Sequence, residues 1–203
     1  MARIIPSDDG PGAREAGVVD FVDRYLSGIA YVYAKPDGSG FQELRGRAAE
    51  AWRRRVDSLR EQYAEGIERL DRRSRDRFGQ AFRDLAQGEQ DDILRELERG
   101  GPAAGLSGEA ATADGYAAPE PGLQEPATET GLDFFDLLVL HARQGFYADP
   151  IYGGNRDQVG WRHIGFPGPA SLAEVHSGAY STLPYFAEAE QQQGEEQHSA
   201  QRS

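Results

Sequence analysis

No cysteine occurs in the 203 residues, which excludes disulfides, thiolate metal sites, cysteine nucleophiles and thioether-linked haem on this chain. Lysine is nearly absent as well: Lys35 is the only one, and the other basic residues are arginines. Positive charge as a whole is in deficit. Lys and Arg total 22 against 34 Asp and Glu, a formal net charge of -12, so the chain repels a phosphate backbone rather than recruiting it. Nucleic acid is not an expected partner. Long apolar runs are also missing; none approaches the roughly 20 residues of a membrane-crossing helix, and no span is expected. The opening MARIIPSDDGPG carries neither the apolar core of a secretory signal nor a twin-arginine signal. The expectations left open are a chain that stays in the cytoplasm, one that travels with a partner, or one whose leader has been removed.

Catalytic patterns are missing too. The histidines are His141, His163, His176 and His198, with no pair at i and i+4 and no compact metal-ligand spacing. Gly153 and Gly154 lack the G-x-G-x-x-G pattern and a strong following helix, and no nucleophile elbow or Walker loop occurs. Asp8 with Asp9 and Asp91 with Asp92 are adjacent carboxylates, which diverge on a helix and read as capping or solvated groups. His141 lies on an apolar helix and reads as a satisfied core or interface histidine. Accordingly, no catalytic, cofactor-binding or metal-ligating residue is assigned to this chain.

What is present is helical periodicity. Val18, Val22, Tyr25 and Ile29 fall at helical spacing and predict an amphipathic helix over residues 13 to 27, ended by Gly28. Residues 30 to 40 read as a loop. From 45 to 73, Trp52, Val56, Leu59, Tyr63, Ile67 and Leu70 step by three or four and line one face of a second helix, whose arginines and glutamates form a solvated face. EQDDILRELERGG predicts a third, with Ile93, Leu94 and Leu97 buried and Gly100 and Gly101 as its stop. Residues 100 to 131 offer too little apolar area to offset ordering and read as a flexible linker. Residues 132 to 148 are apolar on more than one face, as expected of a central core helix. The polar stretch 187 to 203 reads as a disordered tail. The fold class predicted is therefore all-α: a single helical domain over residues 1 to 186, of four to five helices, ending in an irregular aromatic- and Gly-rich C-terminal segment.

That segment, residues 146 to 168, concentrates five aromatics, five glycines and two prolines in 23 residues. Glycine and proline forbid a long helix and aromatics are costly to leave bare, so it should be irregular and packed against something. Asn155, the only asparagine, follows two glycines, where it suits a left-handed turn. Two readings stand side by side. One staples the segment onto the chain's own helices. The other makes Tyr147, Tyr152, Gly153, Gly154, Asn155, Arg156, Trp161, Arg162, His163 and Phe166 a partner interface, since Trp, Tyr and Arg dominate binding hot spots.

The stretches ARIIPSDDGPGAREAGVVDFVDRYL, LDRRSRDRFGQAFRDLAQGEQDDILRELE and GFYADPIYGGNRDQVGWRHIGFPG together resemble the gluconate 2-dehydrogenase subunit 3 family over most of residues 2 to 168. The resemblance implies a non-catalytic small subunit that binds a large FAD-containing subunit of the glucose-methanol-choline oxidoreductase type, often alongside a multihaem cytochrome c subunit. It implies no cofactor on this chain, FAD on the partner, and a role in the partner's folding, stability or export, which would place the complex in the periplasm. An alternative within the same complex makes the segment a lid or wall of the partner's substrate pocket, with Asn155, Arg156 and His163 on sugar hydroxyls. A stand-alone sugar-binding module is a third reading, which lacks a convergent polar constellation.

Overall fold

An apolar side chain at every third or fourth position makes the longest helix of the protein. The computed structural model describes residues 1–28, 35, 37, 39–100, 129–170 and 172–181. In it, α1 is Val18–Leu26, α2 Gly46–Phe78, α3 Gln87–Gly100, α4 Phe134–Tyr147, α5 Val159–His163 and α6 Leu172–Ser177. The chain is all-α, with no β-strand among the described residues. It divides into two compact units, Met1–Tyr31 with Glu43–Phe166, and Val32–Gln42 with Pro167–Ser203.

In the first unit, α2 buries Trp52, Val56, Leu59, Tyr63, Gly66, Leu70 and Ser74. The inward line therefore steps from Tyr63 to Gly66 and Leu70, and Ile67, expected in the stripe, is 51% exposed. The helix also outruns its expected end at residue 73. Ser74 can sit inside because its hydroxyl donates to the Leu70 carbonyl at 2.8 Å. Termination waits for Gly79, which takes φ 76° and donates its N–H to the Arg75 carbonyl at 2.9 Å, the left-handed stop that glycine adopts without a Cβ penalty.

The first helix begins later than its periodicity suggests. Gly17 is left-handed at φ 67°, so residues 13 to 17 form turns, tied by the Ala13 N–H to the Ile5 carbonyl at 2.9 Å. Val18, Phe21 and Val22 point inward. In α3, Ile93 and Leu94 are buried and Leu97 is half-buried. Its start is fixed by the Glu89 carboxylate, which accepts the Ala86 N–H at 2.9 Å. Asp91, read from sequence as solvated, instead receives the Arg3 guanidinium through two bonds of 2.7 and 2.6 Å.

Central position falls to α4, which packs against α1, α2, α3 and α5. Its N-cap Asp133 accepts the Asp136 N–H at 2.8 Å, satisfying one of the free donors of the first turn. Phe134, Leu137, His141, Ala142, Gly145 and Phe146 are buried. Glu129–Gly131, within the expected linker, is a turn of 3-10 helix; residues 101–128 and the expected tail at 187–203 lie outside the described residues. In the second unit, the Lys35 N–H meets the Gly40 carbonyl at 2.8 Å, and the Tyr180 N–H meets the Glu174 carbonyl of α6 at 3.0 Å.

Candidate functional site

A helix ends with carbonyls that lack partners, and the glycine-rich segment supplies them for α4. The Asn155 N–H donates to the Gly145 carbonyl at 2.7 Å. Its side-chain amide donates to the Ala148 carbonyl at 3.0 Å, while its side-chain oxygen accepts the Gly160 N–H at 2.8 Å. Trp161 Nε1 donates to the Tyr147 carbonyl at 2.7 Å. The glycines are what let two stretches of backbone come this close: a Cβ at Gly154 would collide with the Gly145 carbonyl, and one at Gly160 with the Phe146 carbonyl. Asn155, Asp157 and Gln158 hold φ of 45°, 53° and 57°, a left-handed geometry that Asn and Asp tolerate better than Gln.

The same segment gathers in the start of the chain. The Arg156 N–H donates to the Ala16 carbonyl at 3.0 Å, and its guanidinium pairs with Asp20 of α1. A Cβ at Gly17 would meet that guanidinium, and one at Gly10 would meet the His163 ring. Residues 10 to 20 thus pack against Arg156 and His163, from a segment some 140 residues further on (Ala16 to Arg156).

Of the residues read as an interface, several lie inside. Asn155 is fully buried, with its side chain bonded to the Ala148 carbonyl and the Gly160 N–H. Trp161 is 6% exposed because its indole N–H finds an acceptor at the end of α4 and its ring meets Phe166 edge-on, centroids 5.3 Å apart. Gly154 is buried, and Gly153, at φ 98°, lies against the Arg24 side chain. Tyr152 and Phe166 are half-buried. Facing outward are Tyr147, Arg156, Arg162 and His163, joined by Ile164, 53% exposed, which sequence reasoning did not single out. Arg162, His163 and Ile164 therefore project from a short helix held from behind by Asn155 and Trp161.

A second cluster went unread in the sequence. Glu129, 5% exposed, takes the Tyr25 hydroxyl on both carboxylate oxygens at 3.0 and 2.9 Å and forms an ion pair with Arg55 at 3.0 Å. His141 Nε2 stands 3.8 Å away, and Tyr63 lies 2.8 Å from the opposite ring nitrogen. Burial alone would raise the Glu129 carboxyl, but His141, Arg55 and Tyr25 outweigh it and hold the group at about 2. Burial and the Glu129 charge push both Tyr25 and Tyr63 upward. The cluster ties the turn at Glu129 to α1, α2 and α4. Among the described residues, no group of three or more His, Asp or Glu is placed to hold a metal ion, and no helix is long and apolar enough to cross a membrane.

Comparison with known proteins returns one family, described as gluconate 2-dehydrogenase subunit 3, whose sequence model matches residues 1–168. No curated protein and no solved structure matches the chain.

Proposed function

The chain belongs to the gluconate 2-dehydrogenase subunit 3 family, an accessory subunit of a dehydrogenase complex, and from that premise we propose that it binds and stabilises the complex's FAD-containing catalytic subunit without performing chemistry itself. The observation that carries this reading is the extent of the match. It runs from the N-terminal segment through α5, and so includes both motifs that meet at the end of α4. The surface they build is suited to recognition. Tyr147, Arg162, His163 and Ile164 are exposed there, on backbone already fixed by the Asn155 and Trp161 hydrogen bonds. A preorganised surface loses less conformational freedom on binding than a mobile one, and Arg and Tyr are favoured hot-spot residues.

Co-expression of the chain with the catalytic subunit of its complex, followed by gel filtration and a flavin absorbance spectrum of the eluted peak, tests the reading. Co-elution with flavin absorbance is expected. Two separately eluting proteins, with the flavoprotein equally soluble and active without this chain, would overturn it.

A further inference from the structure

An open groove of about 840 Å³ is lined by α1, α2, α3 and α4 together with the N-terminal segment from Met1 to Asp8. Its floor is apolar, with Leu70, Leu94 and Phe134 buried and Leu138 half-buried. Two large aliphatic side chains stand open on its walls: Val19 of α1, 62% exposed, and Ile67 of α2, 51% exposed. Neither continues the chain's own core. Val19 leads a row with Val22 and Leu26 at i, i+3 and i+7, and Ile67 sits between Tyr63 and Leu70 in a row of the same kind. Such rows are the ridges between which another helix packs.

The charges lining the groove select the occupant further. Arg3, Arg14 and Arg83 line it along with Asp8, Glu15 and Asp23, so its charged side chains balance in number although the chain carries -12. A strongly charged segment gains nothing there. A second copy of this chain would bring a further -12, and its approach is opposed by like charge. The groove also adjoins the face already described, because Asp8 and Arg14 line it while a Cβ on Gly10, between them in sequence, would meet His163.

We propose that this groove receives an amphipathic helix of the catalytic dehydrogenase subunit, one that presents aliphatic or aromatic anchors at i, i+4 and i+7 and carries no large net charge. This is the helix-in-groove mode of recognition. The inference rests on the reading of the chain as an accessory subunit, and it adds a second surface to the one at α5.

The test uses the full chain with its catalytic subunit. Val19→Asp and Ile67→Asp each place a carboxylate on an exposed wall position that the fold of the isolated chain does not need. Each is expected to weaken the complex by about tenfold or more while leaving the thermal midpoint of the isolated chain unchanged. Hydrogen exchange provides a readout independent of substitution: amides of α1 and of α2 around Ile67 should slow in the complex. Unchanged affinity for both variants, or no change in exchange along α1 and α2, overturns the groove proposal while the accessory reading stands. A dimer of the isolated chain that Val19→Asp dissociates would make a second copy the occupant and overturn it too. Failure of the unsubstituted chain to bind the catalytic subunit at all overturns both.

Discussion

The hydroxyl of Tyr63 lies 2.8 Å from Nδ1 of His141, with both side chains buried. Their rings are nearly parallel, with centroids 5.7 Å apart. Nε2 faces the Glu129 carboxylate at 3.8 Å, and a ring that carries its proton there accepts the Tyr63 hydroxyl on Nδ1. Tyr63→Phe keeps the ring and leaves Nδ1 buried without a donor. It should cost about 1–3 kcal/mol, read as a lower urea midpoint with an unchanged slope.

Glu129 sets an acid limit on the fold. Its carboxyl is held at about 2, below the ordinary 4.5. A depressed folded-state value means that the stabilisation is fully present above the unfolded-state value and is lost as pH falls through the folded one. The contribution should therefore fade between about pH 4.5 and pH 2. Glu129→Gln removes that titration. Urea midpoints measured across this window should fall less steeply for the variant, and the two proteins should differ most near neutrality; parallel curves would contradict the assignment.

Gly66 is a site where the better helix former should lose. Alanine at an exposed helical position gains about 1 kcal/mol over glycine. Here a Cβ would enter the ring of Phe134, and overpacking a core typically costs about 1–3 kcal/mol. Gly66→Ala is expected to lower the thermal midpoint on balance. The same change on a Phe134→Leu background should cost less, a coupling that a double-mutant cycle measures directly.

At Asn155, backbone conformation and hydrogen bonding separate by comparing two substitutions. Asn155→Gly retains the left-handed turn but leaves the Ala148 carbonyl and the buried Gly160 N–H without their partners. Asn155→Ala loses those bonds as well and adds about 1–2 kcal/mol of left-handed strain. Alanine should be the worse of the two in chemical denaturation by roughly that difference, and equal losses would show that the φ of 45° costs nothing here.

Periodicity in sequence marked what depends on one helix at a time. Val56, Leu59 and Leu70 announced the inner face of α2, and Gly28 announced the end of α1, because each follows from residues three or four positions away. Ile67 broke that rule only because Phe134, distant in sequence, fills the space that Gly66 leaves. The Glu129 cluster had no local trace. Glu129 lies in a stretch whose composition argued for a linker, and its partners Tyr25 and Arg55 stand 104 and 74 residues away. The burial of Trp161 left no local trace for a related reason: its hydrogen-bond acceptor exists only once α4 ends at Tyr147. The family-bearing motifs were visible throughout, but their meeting at Ala16 and Arg156 is a property of the fold.

The cap on α4 also bears on when this protein can finish folding. Ribosomes add roughly 5–20 residues per second, so Ala16 leaves the tunnel on the order of 7–30 s before Arg156 can reach it. Through that interval the N-terminal turns lack the segment they rest on, whereas α4, which ends at Tyr147, emerges only shortly before Asn155 and Trp161 close its last carbonyls. The contact between Ala16 and Arg156 therefore forms only after α1 to α4 have all been synthesised.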